Sequence, residues 1–239
     1  MSIIDKNIIS ERMPVATWAF KDVLIVTSCV FSGGIIFYIS TLALFGDNKT
    51  TFSLARYIGA LLMIFIPLFW IKKKYGLSKE TLGLRKGEFS LLKSVVIGIA
   101  TGIIYSLIIE ITPLRFGAAP AELKNSYSYI NLILLPLSIS GFATILLAPI
   151  SEEIMDRGFI YGYLRRKLGV VPGLFLQALL FSLLHFNYIY GNAFNLITNR
   201  FLIGLILGIL YEKTGSIYPS IICHGVFNYL GIIFMVFHI

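Results

Sequence analysis

Charged residues are scarce in this chain. Only 13% of its 239 residues are Asp, Glu, Lys or Arg, and 57% are hydrophobic, whereas about a quarter of a typical soluble domain is charged. This composition excludes an ordinary soluble domain and indicates an integral membrane protein. We expect residues 1–239 to form a single membrane domain.

Cysteine is equally scarce. The two cysteines, Cys29 and Cys223, both lie in apolar segments, which excludes a disulfide framework and a cysteine-based zinc motif. The chain also lacks a clear internal repeat and a low-complexity segment. Residues 1–22 are too polar for a signal peptide, so we expect the first span to be a retained helix.

The basic residues are arranged in short loops beside apolar segments. This is the pattern of a membrane protein, so the net charge of +8 does not predict nucleic-acid binding. If the N-terminus is inside, fifteen Lys and Arg residues fall on inner segments and five on outer ones. We therefore expect a multi-pass protein of the cytoplasmic (plasma) membrane with a cytoplasmic N-terminus. The five outer cations are Lys49, Arg56, Arg115, Lys124 and Arg200.

Apolar runs long enough to cross a membrane, about 20 residues each, recur along the chain. They predict an all-α fold, a polytopic transmembrane helix bundle with about seven to eight spans and an intramembrane polar cavity. Segment 130–164 is too long for one straight span, and Pro136 and Gly141 favour a break there. The basic cytoplasmic loop 72–90 has leucines that could rest on the membrane surface. The predicted spans are 23–45, 52–71, 91–112, 130–164, 170–187, 195–211 and 216–238.

Glycines spaced four residues apart recur in the predicted spans. Such pairs let two helices approach closely. We expect them to pack helices within the chain rather than to drive dimerisation, and the oligomeric state stays open. The pairs are Gly98 with Gly102, Gly158 with Gly162, and Gly204 with Gly208.

One hydrophobic stretch carries four ionisable groups in the seven residues 151–157. A charge at membrane depth costs roughly 2.5–3.5 kcal/mol per residue on insertion scales, so such groups indicate a functional site. Two further polar patches are Phe181 with His185 and His224 with Asn228. Counted at 1.5 Å per residue from the expected inner edge, the three patches reach similar depths of roughly 12–22 Å. They could therefore meet in one cavity.

The helical angles within the first patch suggest a division of roles. Glu153 and Arg157 are four residues apart in the favourable order for an ion pair, so we interpret them as a structural brace. Glu152 lies about 100° away around the helix and shares a face with Asp156. It is left free to meet His185.

The chemistry of the three patches suits hydrolysis. Glu152 and His185 could hold and deprotonate a water molecule. His224 and Asn228 both offer N–H donors that could stabilise an oxyanion. Cys223 is about 100° around the helix from His224 and should point elsewhere. The residues thus describe hydrolysis of an acyl bond, most simply a peptide bond, inside the membrane.

In this order, the motifs EExxxR (Glu152, Glu153, Arg157), FxxxH (Phe181, His185) and HxxxN (His224, Asn228) resemble one family. It is the CAAX prenyl protease and bacteriocin-processing family (CPBP, also called Abi) of intramembrane glutamic endopeptidases. The resemblance is best over 140–232, within a protease core of 113–239.

The resemblance implies an all-helical membrane protease. Glu152 and His185 would activate water, His224 and Asn228 would form the oxyanion hole, and no cofactor is expected. Zinc stays open because Glu and His are good zinc ligands, and Glu152, His185 and His224 would then hold it. Asp156 departs from the family pattern, which commonly has an aromatic or apolar residue there. Asp156 could pair with Arg157, share a proton with Glu152 or contact substrate.

The expected partners are the lipid bilayer and a peptide or protein substrate at the membrane, such as a lipidated or signalling peptide. We expect cleavage near the C-terminus or in the juxtamembrane part of that substrate. Two alternatives stay open at this point. One is a non-proteolytic scaffold such as a bacteriocin-immunity protein, and the other is a transporter that binds a cation with the same Glu and His groups.

Overall fold

The computed structural model describes residue 14 and the ranges 16–114, 134–185 and 193–237. Within these ranges the regular structure is helical. The α-helices are α1 (Phe20–Phe45), α2 (Lys49–Tyr75), α3 (Leu91–Glu110), α4 (Ile139–Phe142), α5 (Ala148–Glu152), α6 (Gly162–Leu168), α7 (Val170–Leu184), α8 (Ala193–Thr214) and α9 (Tyr218–Phe237). Two π-helices, π1 (Ala143–Leu147) and π2 (Glu153–Tyr161), and two 3₁₀ turns, Lys79–Leu82 and Leu135–Leu137, complete the described elements.

Five helices of the described part are long and apolar enough to cross a membrane. These are α1, α2 from Thr51, α3, α8 from Asn195, and α9. Helix α7 is apolar but shorter. The predicted all-α, polytopic helix bundle is thereby confirmed. The ends of the predicted spans at 130–133, 186–187 and 238 lie outside the described residues.

The predicted span 130–164 corresponds to an interrupted helix rather than a straight one. We use that name for Ile139–Leu168, in which α4, π1, α5, π2 and α6 follow each other without a gap. All nine residues of π2 are buried. The interrupted helix therefore forms the centre of the bundle, where it contacts α2, α7 and α9.

Local signals explain where the helices begin and end. The side chain of Asn48 accepts a hydrogen bond from the Thr51 backbone N–H at 3.0 Å and so caps the start of α2. Gly76 ends α2 with a φ of 64°, a conformation that favours glycine. A three-residue link through Gly215, with a φ of 66°, reverses the chain between α8 and α9.

The glycine pairs pack helices against each other inside the chain, as the sequence predicts. A Cβ added at Gly102 of α3 would lie 2.8 Å from Cβ of Val226 and 2.9 Å from the Cys223 carbonyl oxygen of α9. A Cβ at Gly204 of α8 would lie 3.2 Å from Ala178 of α7. Close contact between backbones thus sets the positions of α8 and α9.

The basic loop docks onto the bundle, and the predicted position on the membrane surface is wrong for Leu82. This side chain is fully buried, and a Cβ at Gly158 of π2 would lie 2.6 Å from the Leu82 carbonyl oxygen. The backbone N–H of Ile217 donates to the Gly83 carbonyl at 3.0 Å. Leu82 is therefore packed against the protein rather than against lipid.

Polar contacts also hold the C-terminal end of the interrupted helix. Arg165 of α6 donates to Glu212 of α8 at 2.7 Å, and the Tyr161 hydroxyl donates to the same carboxylate at 3.2 Å. Trp18 stacks on Phe159 with ring centroids 5.0 Å apart and donates its Nε1–H to the Phe159 carbonyl at 3.0 Å. These contacts fix π2 from two sides.

Candidate active site

A buried ion pair lies at the centre of the site. Arg157 Nη1 donates to Glu153 Oε1 at 2.8 Å, and neither side chain is exposed. Arg157 Nη2 also donates to the Gly204 carbonyl of α8 at 3.3 Å, and its guanidinium lies 4.5 Å from the Phe181 ring centroid. A buried charge needs such partners. The pair thus links π2 to α7 and α8.

The same Glu153 oxygen also accepts from the ring of His224. The distance from His224 Nδ1 to Glu153 Oε1 is 2.9 Å. A carboxylate only accepts hydrogen bonds, so Nδ1 carries the proton and Nε2 of the neutral ring offers a lone pair. Glu153 therefore orients the imidazole of α9 as well as the guanidinium of π2.

His185 is oriented in a similar way by its own helix. Its Nδ1 lies 2.8 Å from the Phe181 carbonyl oxygen, which can only accept, so Nδ1 is again the donor. The Phe181 ring packs 4.3 Å from the His185 ring and 5.8 Å from the His224 ring, measured between centroids. Phe181 thus supports both histidines.

Glu152 faces the free nitrogens of both histidines. Its Oε2 lies 3.4 Å from His185 Nε2 and 3.6 Å from His224 Nε2. This oxygen is buried and accepts no hydrogen bond from the described residues. When both rings are neutral, all three of these atoms are acceptors, and a donor such as a water molecule or a shared proton is needed between them. This arrangement can hold and deprotonate water.

Asn228 is one helical turn beyond His224, and its amide is partly engaged. Its Nδ2 donates to the Thr144 carbonyl of π1 at 3.0 Å. Segments of π-helix are frequent at functional sites. Arg56 of α2 donates to the Thr144 hydroxyl at 3.2 Å. One N–H of the Asn228 amide is thus committed to the protein, and one remains for other acceptors.

Asp156 is buried one turn beyond Glu152 on the interrupted helix. It interacts electrostatically with Arg157, Glu152 and His185. The structure therefore brings it beside the cluster of Glu152, Glu153, His185 and His224.

The sequence interpretation overlooked Arg200, which it counted among the outer cations. Arg200 lies within α8, and its guanidinium is 5.2 Å from the ring centroid of Phe227, the neighbour of Asn228. It also interacts electrostatically with Glu152. Arg200 is fourteen residues before Thr214, which places it roughly 21 Å along the helix. The same depth count that linked the three patches could have found it.

A metal site is a further question for this cluster. Among the residues that the structure describes, no group of three or more His, Cys, Asp and Glu side chains is arranged to hold a metal ion. Zinc binding by Glu152, His185 and His224 stays a prediction, and each step of the chemistry below is assigned to side chains of this chain.

The fold and the cluster together define a class, a helical membrane protein in which a carboxylate and two histidines converge. A family model described as Type II CAAX prenyl endopeptidase Rce1-like matches residues 134–230, somewhat less than half of the chain. The match confirms the resemblance to the CAAX protease family. At the family level it supports a CAAX-protease-like intramembrane endopeptidase, which is a peptidase and hence a hydrolase.

Searches of curated proteins and of solved structures gave no match.

Proposed function

We propose that the protein hydrolyses a peptide bond of a membrane-associated, lipidated or signalling peptide with water activated by Glu152 and His185. The convergence of Glu152 Oε2 with Nε2 of His185 and His224, at 3.4 Å and 3.6 Å, carries this proposal. A water molecule about 2.8 Å from Glu152 and from one imidazole nitrogen makes ordinary hydrogen bonds to both. Such a water loses a proton as it attacks.

In the proposed reaction, the water oxygen bonds to the carbonyl carbon of the substrate while Glu152 takes a proton. The carbonyl oxygen becomes an oxyanion. Asn228 supports it with the N–H that Thr144 does not use, and His224 supports it through Nε2 when the ring is protonated. Glu153 stabilises that protonated ring through Nδ1. The proton on Glu152 then moves to the leaving amine as the C–N bond breaks.

The proposal also covers the cofactor requirement, the location, the partners and the supporting residues. The protein works without a metal ion or other cofactor, in the cytoplasmic membrane with its N-terminus in the cytoplasm. Its partners are the bilayer and a peptide or protein substrate. Glu153, Arg157 and Phe181 support the catalytic groups and do not touch the reacting atoms.

The first test compares peptides from membranes and medium of cells that make the unsubstituted protein or Glu152→Gln at matched expression. Gln keeps the shape of the side chain but cannot accept the proton. We expect one defined peptide end to disappear in the variant and its precursor to accumulate, with turnover lowered at least a hundredfold, the lower range of general-base contributions. Mass spectrometry of the peptide termini measures both.

A parallel sample of the purified unsubstituted protein is treated with a zinc chelator, and we expect cleavage of the precursor to continue. Loss of cleavage that added zinc restores would contradict the metal-free reaction. Identical peptide profiles for both proteins, with the cellular phenotype retained, would favour a scaffold. Loss of an ion flux in Glu152→Gln without any peptide change would favour a transporter.

A further inference from the structure

A groove lies on the surface of α2, next to the three consecutive lysines that end this helix. Its volume is about 490 Å³, within the range of about 300–1,000 Å³ that is typical of small-molecule sites. The groove is open to the surroundings of the bundle, because the side chains of Phe65 and Phe69 are 60% and 61% exposed. Its walls are apolar apart from one lysine. The lining residues are Phe65, Ile66, Leu68, Phe69 and Lys72.

The groove runs along α2 toward the charged end of the helix. Phe65 and Lys72 are seven residues apart, which is roughly 10 Å along an α-helix. Helix α2 is long and apolar enough to cross a membrane from Thr51 to Tyr75. The exposed aromatic side chains therefore lie among acyl chains, and the lysines at the end of the span lie among headgroups. An apolar groove that ends at a cation has the same polarity along its length as a single phospholipid.

The three lysines differ in their partners. Lys74 donates to the buried carboxylate of Asp22 in α1, so its charge is paired within the protein. Among the described residues, Lys72 and Lys73 form no such ion pair, and both are exposed. Lys73 Nζ lies 5.4 Å from the ring centroid of Phe69, and this cation–π contact holds the ammonium beside the groove. Two ammonium groups at the groove thus offer N–H donors to an anion.

We propose that the groove binds an anionic phospholipid, with one acyl chain along its apolar wall and the headgroup phosphate held by Lys72 and Lys73. Hydrogen bonds between ammonium and phosphate groups are charge-assisted and stronger than neutral ones. Basic segments at the cytoplasmic end of a span attract anionic lipids, and this is the cytoplasmic end of α2 in the proposed orientation. A zwitterionic lipid also has a phosphate, but its own ammonium offsets that charge. The two lysines therefore favour a lipid of net negative charge.

The test is a lipid titration of the delipidated full chain in a nonionic detergent, read by native mass spectrometry. The probes are dioleoyl phosphatidylglycerol and dioleoyl phosphatidylcholine, which share their acyl chains and differ in net charge. We expect phosphatidylglycerol to bind more tightly by on the order of tenfold, as two lysines near an anionic lipid imply. Lys72→Gln together with Lys73→Gln should lower its binding to that of phosphatidylcholine.

Three further variants separate the site from general surface charge and from effects on folding. Lys86→Gln together with Lys167→Gln removes two exposed cations elsewhere and should keep the preference. Lys72→Arg together with Lys73→Arg keeps both charges and should also keep it. Phe65→Ala removes part of the groove wall and should weaken binding of both lipids several-fold, because apolar contact is lost. The thermal midpoint of every variant is measured in the same detergent.

Several outcomes would overturn the inference. Equal binding of the two lipids, or no binding of either, is one. A preference that survives Lys72→Gln with Lys73→Gln is another, and so is a preference that falls equally in both double Gln variants, since net surface charge would then explain it. Displacement of phosphatidylglycerol by inorganic phosphate would assign the lysines to a free anion, and unchanged binding in Phe65→Ala would place the acyl chain elsewhere.

The lipid site and the peptidase function can fail separately. None of the substituted lysines lies in the cluster around Glu152, and Glu152→Gln should bind phosphatidylglycerol as the unsubstituted protein does. A lipid preference without any cleavage would retain the lipid site and overturn the peptidase. Cleavage that requires Glu152, without a lipid preference, would retain the peptidase and overturn the lipid site.

Discussion

At the scale of single residues, one oxygen atom joins three elements of the site. Glu153 Oε1 accepts from Arg157 in its own helix and from His224 in α9, and Arg157 in turn reaches the Gly204 carbonyl of α8. Glu152, its neighbour, makes no comparable structural contacts and faces the free nitrogens of the histidines. Of these two adjacent glutamates, Glu153 thus holds helices together, and Glu152 faces the histidines.

This separation predicts different effects for the two isosteric substitutions. Glu153→Gln removes the ion-pair partner of the buried Arg157, and we expect the free energy of unfolding to fall by about 3–5 kcal/mol, as for other broken buried pairs. Glu152→Gln should leave the thermal midpoint within a few degrees of the unsubstituted protein while cleavage is lost. Thermal unfolding of both variants in the same detergent measures the difference. Equal midpoints would contradict the structural role of Glu153.

The sequence predicted part of this residue pattern. Spacing along one helix was enough to expect Glu153 beside Arg157 and Glu152 turned toward His185. The bond from His224 to Glu153 joins residues 71 positions apart, and the bond from Asn228 to Thr144 joins residues 84 apart. Such contacts depend on how helices pack, which the spacing within one helix does not determine.

At the scale of helices, the position of α9 decides whether His224 reaches Glu152 and Asn228 reaches Thr144. Helix α3 sets that position, because Gly98 and Gly102 allow its backbone to lie directly against α9. Helices α1 and α2 bury few of their residues and carry no member of the cluster of Glu152, Glu153, His185 and His224. The helices that touch α9 therefore control the geometry of the site.

We expect Gly102→Ala to lower cleavage by tenfold or more. The added Cβ would lie 2.8 Å from Val226 Cβ, so α9 must shift, and small displacements of reacting groups are costly. Gly34→Ala in α1 is the matched control, since nothing lies within 4 Å of its added Cβ and alanine favours the helix. Initial rates of precursor cleavage are compared at equal folded protein. Equal rates in both variants would argue against α3 as the support of α9.

The sequence predicted a break in 130–164 but not the kind of helix that results. The angles assigned to Glu152, Glu153 and Asp156 assumed α-helical geometry, whereas Glu153–Tyr161 is a π-helix. The same apolar sequence can form an α-helix or a π-helix, because hydropathy does not show whether the backbone hydrogen bonds run i→i+4 or i→i+5. The contact of Trp18 was also not predictable from the sequence, because its hydrogen bond to Phe159 joins residues 141 positions apart.

At the scale of the whole molecule, the distribution of basic residues still favours an inner N-terminus. Arg157 and Arg200 lie within helices of the bundle and should not be counted with the loops. Without them, fourteen cations remain on the inner segments and four on the outer ones. The excess of basic residues on the inner segments, which orients membrane proteins, therefore remains.

Cysteine labelling in intact cells tests this orientation. In a Cys29→Ser background, a membrane-impermeant maleimide should label Asp47→Cys between α1 and α2 from outside. It should label Lys86→Cys in the basic loop only after permeabilisation. Both positions are exposed, and Cys223 is buried, so it provides little background. Labelling of Lys86→Cys alone in intact cells would reverse the proposed topology.

The two π-helices also fix the length of the chain at the site. Glu153 is tied to Arg157 and His224 at one end of π2, and Arg165 is tied to Glu212 beyond the other end. A single deletion or insertion between these ties would rotate the residues beyond it by about 100° relative to those before it, as long as the helical bonding stays the same. Insertions and deletions between Glu152 and Arg165 are thus as damaging to the site as replacement of its side chains.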